Sequence, residues 1–219
     1  MRRSSIILLS GGLDSAANLA LCREQDHPIL ALTACYGQRA ADREVEAARE
    51  FCKYYDVPHQ ILDVSWLGKL GGSALTVHST SVPHVKLDQL DQKTITQKTA
   101  EKVWVPNRNG VLIHIAAAYA ESLGAKQVVV GFNAEEAATF PDNSADYIQR
   151  VTTALALSTS NRVSVFCYTL HKNKVEIVKE LKVLPKPFPF EQIWSCYEGG
   201  IKPCDQCESC MRLARALKM

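Results

Sequence analysis

Charge of one sign is what this sequence has least of. Its 25 Lys and Arg nearly balance 23 Asp and Glu, for a net charge of +2, and no basic run exceeds Arg2-Arg3. A nucleic-acid groove needs a concentrated basic stripe, so no nucleic-acid partner is expected. Long apolar runs are missing too. The run Ile6-Ile7-Leu8-Leu9 falls far short of the ~20 residues that cross a bilayer, and nothing resembles a signal peptide. A cytoplasmic protein with no membrane partner is the expectation. Internal repeats and low-complexity blocks are also absent, which argues against solenoids and arrays. In a reducing compartment the eight cysteines need a use other than disulfides.

What remains is the pattern of one globular domain with a substantial core. The 219 residues are 47% hydrophobic, enough for an α/β domain over residues 1–184 and a small C-terminal element over 185–219. Strands are expected at 5–9, 29–34, 59–64, 127–131 and 163–167. Helical spacing runs through 14–24, 39–54, 109–122 and 144–157, with one further helix capped by Asn173. Short continuous apolar strands alternating with helices predict a parallel sheet covered on both faces, a Rossmann-like, doubly wound, five-stranded α/β fold. Asn109 reads as a helix cap and His114 as a structural residue on an apolar stripe. Residues 65–103 lose the rhythm, are polar, and read as an active-site cover. Pro185, Pro187 and Pro189 stiffen the link to the tail. Cys22, Cys35, Cys52 and Cys167 lie in apolar segments and read as core.

The first strand runs into Ser10-Gly11-Gly12-Leu13-Asp14-Ser15. Glycines allow a tight turn and a close backbone approach, and the helix that follows presents free N–H groups with a partial positive charge. Ser10 and Ser15 add hydroxyl donors. Asp14 would repel a bare phosphate unless Mg²⁺ lies between them, so the stretch predicts a Mg-nucleotide site. A Ser or Asp helix cap is the plainer alternative. No Gly-Lys-Ser/Thr follows, which excludes a kinase-type P-loop. Ligands of open α/β sheets gather at the carboxyl ends of the strands. Tyr36 to Arg39 after the second strand and Gly131 to Glu136 after the fourth would join Ser10 to Ser15 on that rim.

The other four cysteines crowd the tail: Cys196, Cys204, Cys207 and Cys210. Four thiolates at this spacing suit a tetrahedral zinc ion, with Gly199-Gly200 turning the chain back. An iron–sulfur cluster is the alternative, though the Pro that a ferredoxin-type run expects does not follow. Four ligands leave no open position, so the zinc is expected to be structural.

The Ser-Gly-Gly-Leu-Asp-Ser loop resembles that of the N-type ATP pyrophosphatases, whose fold is of the adenine nucleotide alpha hydrolase type. Together with the cysteine cluster it resembles the QueC family of 7-cyano-7-deazaguanine synthases. Tyr36-Gly37-Gln38-Arg39 with Glu44 and Glu46, Val105-Pro106-Asn107-Arg108-Asn109, and Gly131 through Asp142 are similar to further elements of that family. The resemblance spans residues 6 to about 212. It implies ATP and ammonia as co-substrates, a carboxylated deazapurine as substrate, adenylation with pyrophosphate release, and an amide on the way to the nitrile. It also implies a homodimer. Leu9, Ser10, Gly11, Gly12, Leu13, Asp14, Ser15, Ala16 and Arg39 would bind the nucleotide. Asp14, Ser15 and Arg108 are the catalytic candidates. Asn109, Asn133, Glu135, Phe140 and Asp142 would bind substrate, and Trp104 is a second stacking candidate. One departure stands out: Thr139-Phe140-Pro141-Asp142-Asn143-Ser144 replaces the family's usual Gly-Tyr-Pro-Asp-Cys-Arg, losing a hydroxyl and a cation. Arg108 or Lys202 are the candidates to meet the substrate carboxylate in its place. The altered loop leaves a ligase that joins the deazaguanine to a protein amine as an alternative. A tRNA thiolase and a non-catalytic nucleotide-binding module are further ones. No cysteine follows Met1 and no length remains for a glutaminase, so free ammonia is the expected nitrogen source.

Overall fold

The computed structural model describes residues 2–218. Strand β1 (Ser4–Leu8) leads into helix α1 (Leu13–Gln25), then β2 (His27–Cys35), α2 (Ala41–Tyr55) and β3 (His59–Asp63). Helices α3 (Lys93–Val103) and α4 (Arg108–Ser122) follow, then β4 (Gln127–Val129), the single turn α5 (Ala134–Ala137), α6 (Ala145–Ser158), β5 (Ser164–Phe166), α7 (Lys174–Leu181) and α8 (Glu208–Lys218). All five strands are parallel, in the order β3-β2-β1-β4-β5.

Side-chain alternation along β1 explains the layers. Ile7 joins α1, α2 and α7 in one core, while Ile6 joins α4 and α6 in the other. A strand buried on both faces reads as an unbroken apolar run. The chain winds from β1 outward to β3, then returns to the far side of β1 for β4. The strand order therefore reverses between β1 and β4, and a crevice opens at their carboxyl ends.

Four local expectations are corrected. The 65–103 segment contains α3, whose buried residues Thr96, Thr99, Ala100 and Val103 keep helical spacing; two threonines disguise the stripe. The tail forms α8, which buries Arg212 and Ala216 against the rest of the molecule. His114 is exposed, its Nδ1 2.8 Å from Gly110 O, instead of facing the core. Helix α4 begins one turn position early: Asn107, left-handed at φ 51°, precedes it, and Asn109 is inside it. Asn173 does cap α7, in a reciprocal box with Glu176. Of the scattered cysteines, Cys22, Cys52 and Cys167 are buried and Cys35 is partly so. Among the described residues no helix is long and apolar enough to cross a membrane.

Candidate active site

The crevice holds a cavity of about 250 Å³ lined from β1, β2, Leu75 and Val103 of the 65–103 segment, α4, the end of β4, α7 and the tail. Its anion-facing side is the turn into α1. Gly12 is extended and no side chain caps the helix. The first-turn N–H groups are therefore open, and the plain N-cap alternative is not what the chain adopts. Ser15 Oγ donates to Gly12 O at 3.1 Å, accepts from Ser10 N–H at 3.2 Å, and lies 3.1 Å from Ser10 Oγ. Gly11 sits at φ +78°, and a Cβ on Gly131 would lie 2.6 Å from Ser15 N. The end of β4 can thus approach the turn only as glycine.

Beside this turn lies a buried charge cluster. Lys174 Nζ contacts Asp14 Oδ2 and pairs with Glu136 Oε1 at 3.2 Å. Burial opposes the charge on Lys174, but the two carboxylates keep it an ammonium and push its pKa up. Burial likewise pushes Asp14 up to about 6, against the pull of Lys174. Asp14 Oδ1 is buried with no hydrogen-bond partner. A hard divalent cation takes such oxygens as ligands, so Asp14 fits Mg²⁺.

The opposite side carries Tyr36, Gln38, Glu44, Arg108 and Asn109. Arg108 stacks over the Tyr36 ring at 5.5 Å and donates to Tyr36 Oη and Asn109 Oδ1, each at 3.3 Å. Gln38 holds both ends of this corner: it accepts from Tyr36 N–H at 2.8 Å and donates to Glu44 Oε2 at 2.8 Å.

The tail supplies the last wall. Trp194 N–H donates to Gly11 O at 3.0 Å, and Trp194, Ser195, Tyr197 and Ser209 face the cavity. Just beyond them the sulfurs of Cys196, Cys204, Cys207 and Cys210 all lie within 4.8 Å of one another. Backbone N–H groups of Glu198 and Cys204 point at the Cys196 sulfur, and that of Cys207 at the Cys204 sulfur, each at 3.3 Å. Donors aimed at sulfur suit thiolates, so this donor set fits a tetrahedral thiophilic metal ion.

Of the residues singled out from sequence, Leu9, Ser10, Gly12, Asp14, Ser15, Arg108, Asn109 and Phe140 line the cavity. Gly11, Leu13 and Ala16 form the turn and helix behind it. Arg39 is elsewhere: its guanidinium donates to the carbonyls of Ala74, Val77 and Thr80 and pairs with Glu198. Glu135 is also outside the lining, engaged by Lys174 N–H, Arg212 and Arg215. Asn133 caps α5, and Asp142 is outside the lining but close to Arg108 and Asn109, its Oδ1 buried without a partner. Lys202 is exposed. Trp104 and Phe140 lie parallel, 8° apart in plane with centroids 6.1 Å apart. Sequence reasoning missed Lys174, Ser195 and Tyr197, and placed Glu136 on the rim without a role. Lys174 did leave a signal: a cation in the first turn of a helix opposes the macrodipole and wants an external reason.

Known proteins agree on what this arrangement belongs to. Residues 4–219 match the family model described as queuosine biosynthesis protein QueC. A protein of Desulforamulus reducens is 46% identical over 97% of this chain and 92% of its own length. One of Bdellovibrio bacteriovorus is 48% identical over 96% and 91%. One of Methanosarcina mazei is 46% identical over 98% and 93%. All three carry the name 7-cyano-7-deazaguanine synthase. With a family match over nearly its whole length and relatives at this identity, the chain belongs to the QueC family.

Proposed function

We propose that this chain is an ATP-dependent ligase that converts 7-carboxy-7-deazaguanine and ammonia into 7-cyano-7-deazaguanine. The observation that carries the reaction type is the uncapped start of α1 beside the buried Asp14–Lys174–Glu136 cluster. A carboxylate does not react with ammonia, because hydroxide is a poor leaving group. Attack of the carboxylate on the α-phosphorus of ATP breaks the bond to pyrophosphate and gives an acyl adenylate. Ammonia then displaces AMP and leaves the amide. A second adenylation, on the amide oxygen, lets AMP leave as the C≡N bond forms and the nitrogen gives up its remaining protons.

Each round builds negative charge on the departing pyrophosphate. The open N–H groups after Gly12, with the Ser10 and Ser15 hydroxyls, receive it, and Lys174 supplies a fixed cation that needs no reorganisation. Mg²⁺ held at Asp14 would neutralise phosphate charge when bound. Arg108 takes the substrate carboxylate, in place of the cation missing at 143–144, and Asn109 and Phe140 contact the ring. Zinc on the four cysteines is structural, fastening the 185–219 element to the 1–184 domain. A cytoplasmic setting that keeps these thiols reduced belongs to the same reading. So does a homodimer: exposed Trp66, Leu70 and Trp104 come from segments that approach each other at Gly71 and Pro106, where a Cβ on Gly71 would lie 3.0 Å from Pro106 Cδ.

Mass spectrometry of the protein given Mg-ATP, ammonium and 7-carboxy-7-deazaguanine tests the reading. Nitrile with AMP and pyrophosphate is the expected outcome. Amide or adenylate without nitrile would favour a different acceptor, as the Asn143-Ser144 loop allows. No substrate-dependent AMP would overturn the assignment.

A further inference from the structure

Glu44 has no part in the chemistry above, yet it is built into the cavity. It comes from the first turn of α2, immediately behind the phosphate turn: a Cβ on Gly11 would lie 3.1 Å from Glu44 O. Its carboxylate reaches the cavity wall between Tyr36 and Arg108. Gln38 occupies Oε2 at 2.8 Å, and among the described residues no side-chain donor takes Oε1. Arg108 lies near enough to act on Glu44 electrostatically, but among the described residues the two form no ion pair. Instead, Arg108 spends its donors on Tyr36 and Asn109. Glu44 is partly buried, and its open oxygen at the cavity wall is available to a ligand that supplies donors.

Which ligand would do so follows from hydrogen-bond chemistry. An adenine edge offers one amino donor beside a ring acceptor, which a carboxylate repels. An aminopyrimidinone edge offers a ring N–H and an exocyclic NH₂ side by side, both donors, matching a carboxylate. Arg108, on the same wall, is complementary to the anionic end of the same molecule. We propose that Glu44 is the specificity residue that accepts the ring N–H and 2-amino group of the deazaguanine, leaving Arg108 for its carboxylate. The proposal rests on the synthase reading and adds the residue that makes that site choose a guanine-like ring. Burial raises the pKa of Glu44 above the usual carboxylate range, with Gln38 and Arg108 pulling it back, which is the environment in which two neutral donors count most.

The test pairs a variant with a substrate analogue. Adenylation is followed by pyrophosphate release for wild type, Glu44→Gln and Glu44→Asp. Each is given 7-carboxy-7-deazaguanine and the hypoxanthine-type acid that lacks the 2-amino group. Wild type should prefer the amino-bearing acid by about 10- to 100-fold in kcat/KM, the size of one or two charge-assisted hydrogen bonds. Glu44→Gln should lose that preference, dropping on the true substrate and changing little on the analogue, with the KM for ATP unchanged. Thermal melting checks that Glu44→Gln folds, and Glu44→Asp, which keeps the charge one methylene short, should show intermediate discrimination. Equal losses on both acids would overturn the assignment. A rise in the KM for ATP instead would place Glu44 at the nucleotide. Wild type that adenylates neither acid would overturn the synthase reading, and this assignment with it.

Discussion

Lys174 shows how much one buried side chain can decide. It is 4% exposed and stands between two carboxylates. Replacing it by methionine leaves the buried Asp14 without its cation beside a partly exposed Glu136, which costs about 2–4 kcal/mol. Lys174→Met should therefore melt lower and release pyrophosphate at least ~100-fold more slowly, the scale of losing one preorganised charge contact; a melting curve and a pyrophosphate assay on the same sample check both. His59 gives a different kind of prediction. The single hydroxyl proton of Thr33 goes to Leu9 O at 2.6 Å, so Thr33 must accept from His59 Nε2 at 2.8 Å, which fixes that nitrogen as the protonated one. Burial, with Arg49 adding to it, holds the His59 pKa below 6.5. The unfolded chain then binds the proton more readily, so stability is fully present above pH 6.5 and falls as the pH drops through the folded value. Asp14, held up at about 6, contributes with the opposite sign over the same range, so the His59 effect is read as a difference. The gap in urea midpoint between wild type and His59→Gln should shift against wild type as the pH falls from 7 to about 5.

At the scale of elements, the turn into α1 and the end of β4 are locked together through Gly131. Gly131→Ala drives a methyl group toward Ser15 N. It should cost about 1–3 kcal/mol as an overpacking change and raise the KM for ATP, measured in the pyrophosphate assay. The strands and their helices were legible beforehand because each is an apolar run or an amphipathic repeat between Gly, Pro and Asn signals. Ser10 to Ser15 was legible because a backbone that must turn tightly has few sequences to choose from. What could not be read is how a loop spends its side chains. Arg39 and Glu135 lie in the right loops, but Arg39 ties down the carbonyls of the 65–103 cover and Glu135 is claimed by α7 and α8. Those partners are 35 or more residues away in sequence, and no local pattern announces them. Helix α3 escaped because its inward face is half threonine.

The whole molecule is stapled by its tail. Arg212 bonds Glu135, Glu208 and Leu90 O, Arg215 bonds Asp91 and Glu135, and Val85 N–H reaches Gln206 O. Glu135→Gln should lower stability by about 2 kcal/mol, read as a shifted urea midpoint, while kcat/KM of the folded fraction stays within about threefold. A chelator that strips the four cysteines removes a binding energy on the order of 10 kcal/mol from an element with little core of its own. Trp194 fluorescence should then change and pyrophosphate release stop, with most far-UV dichroism of the sheet domain retained. The hydrogen bond from Trp194 to Gly11 O has a further consequence in time. The phosphate turn is synthesised well before the wall that completes it, since residues 10–15 and 194–210 lie far apart in the chain. Between the two, a nascent chain carries an anion-facing turn without the cavity to use it, and the cavity closes only once residues 194–210 have emerged and folded against that turn.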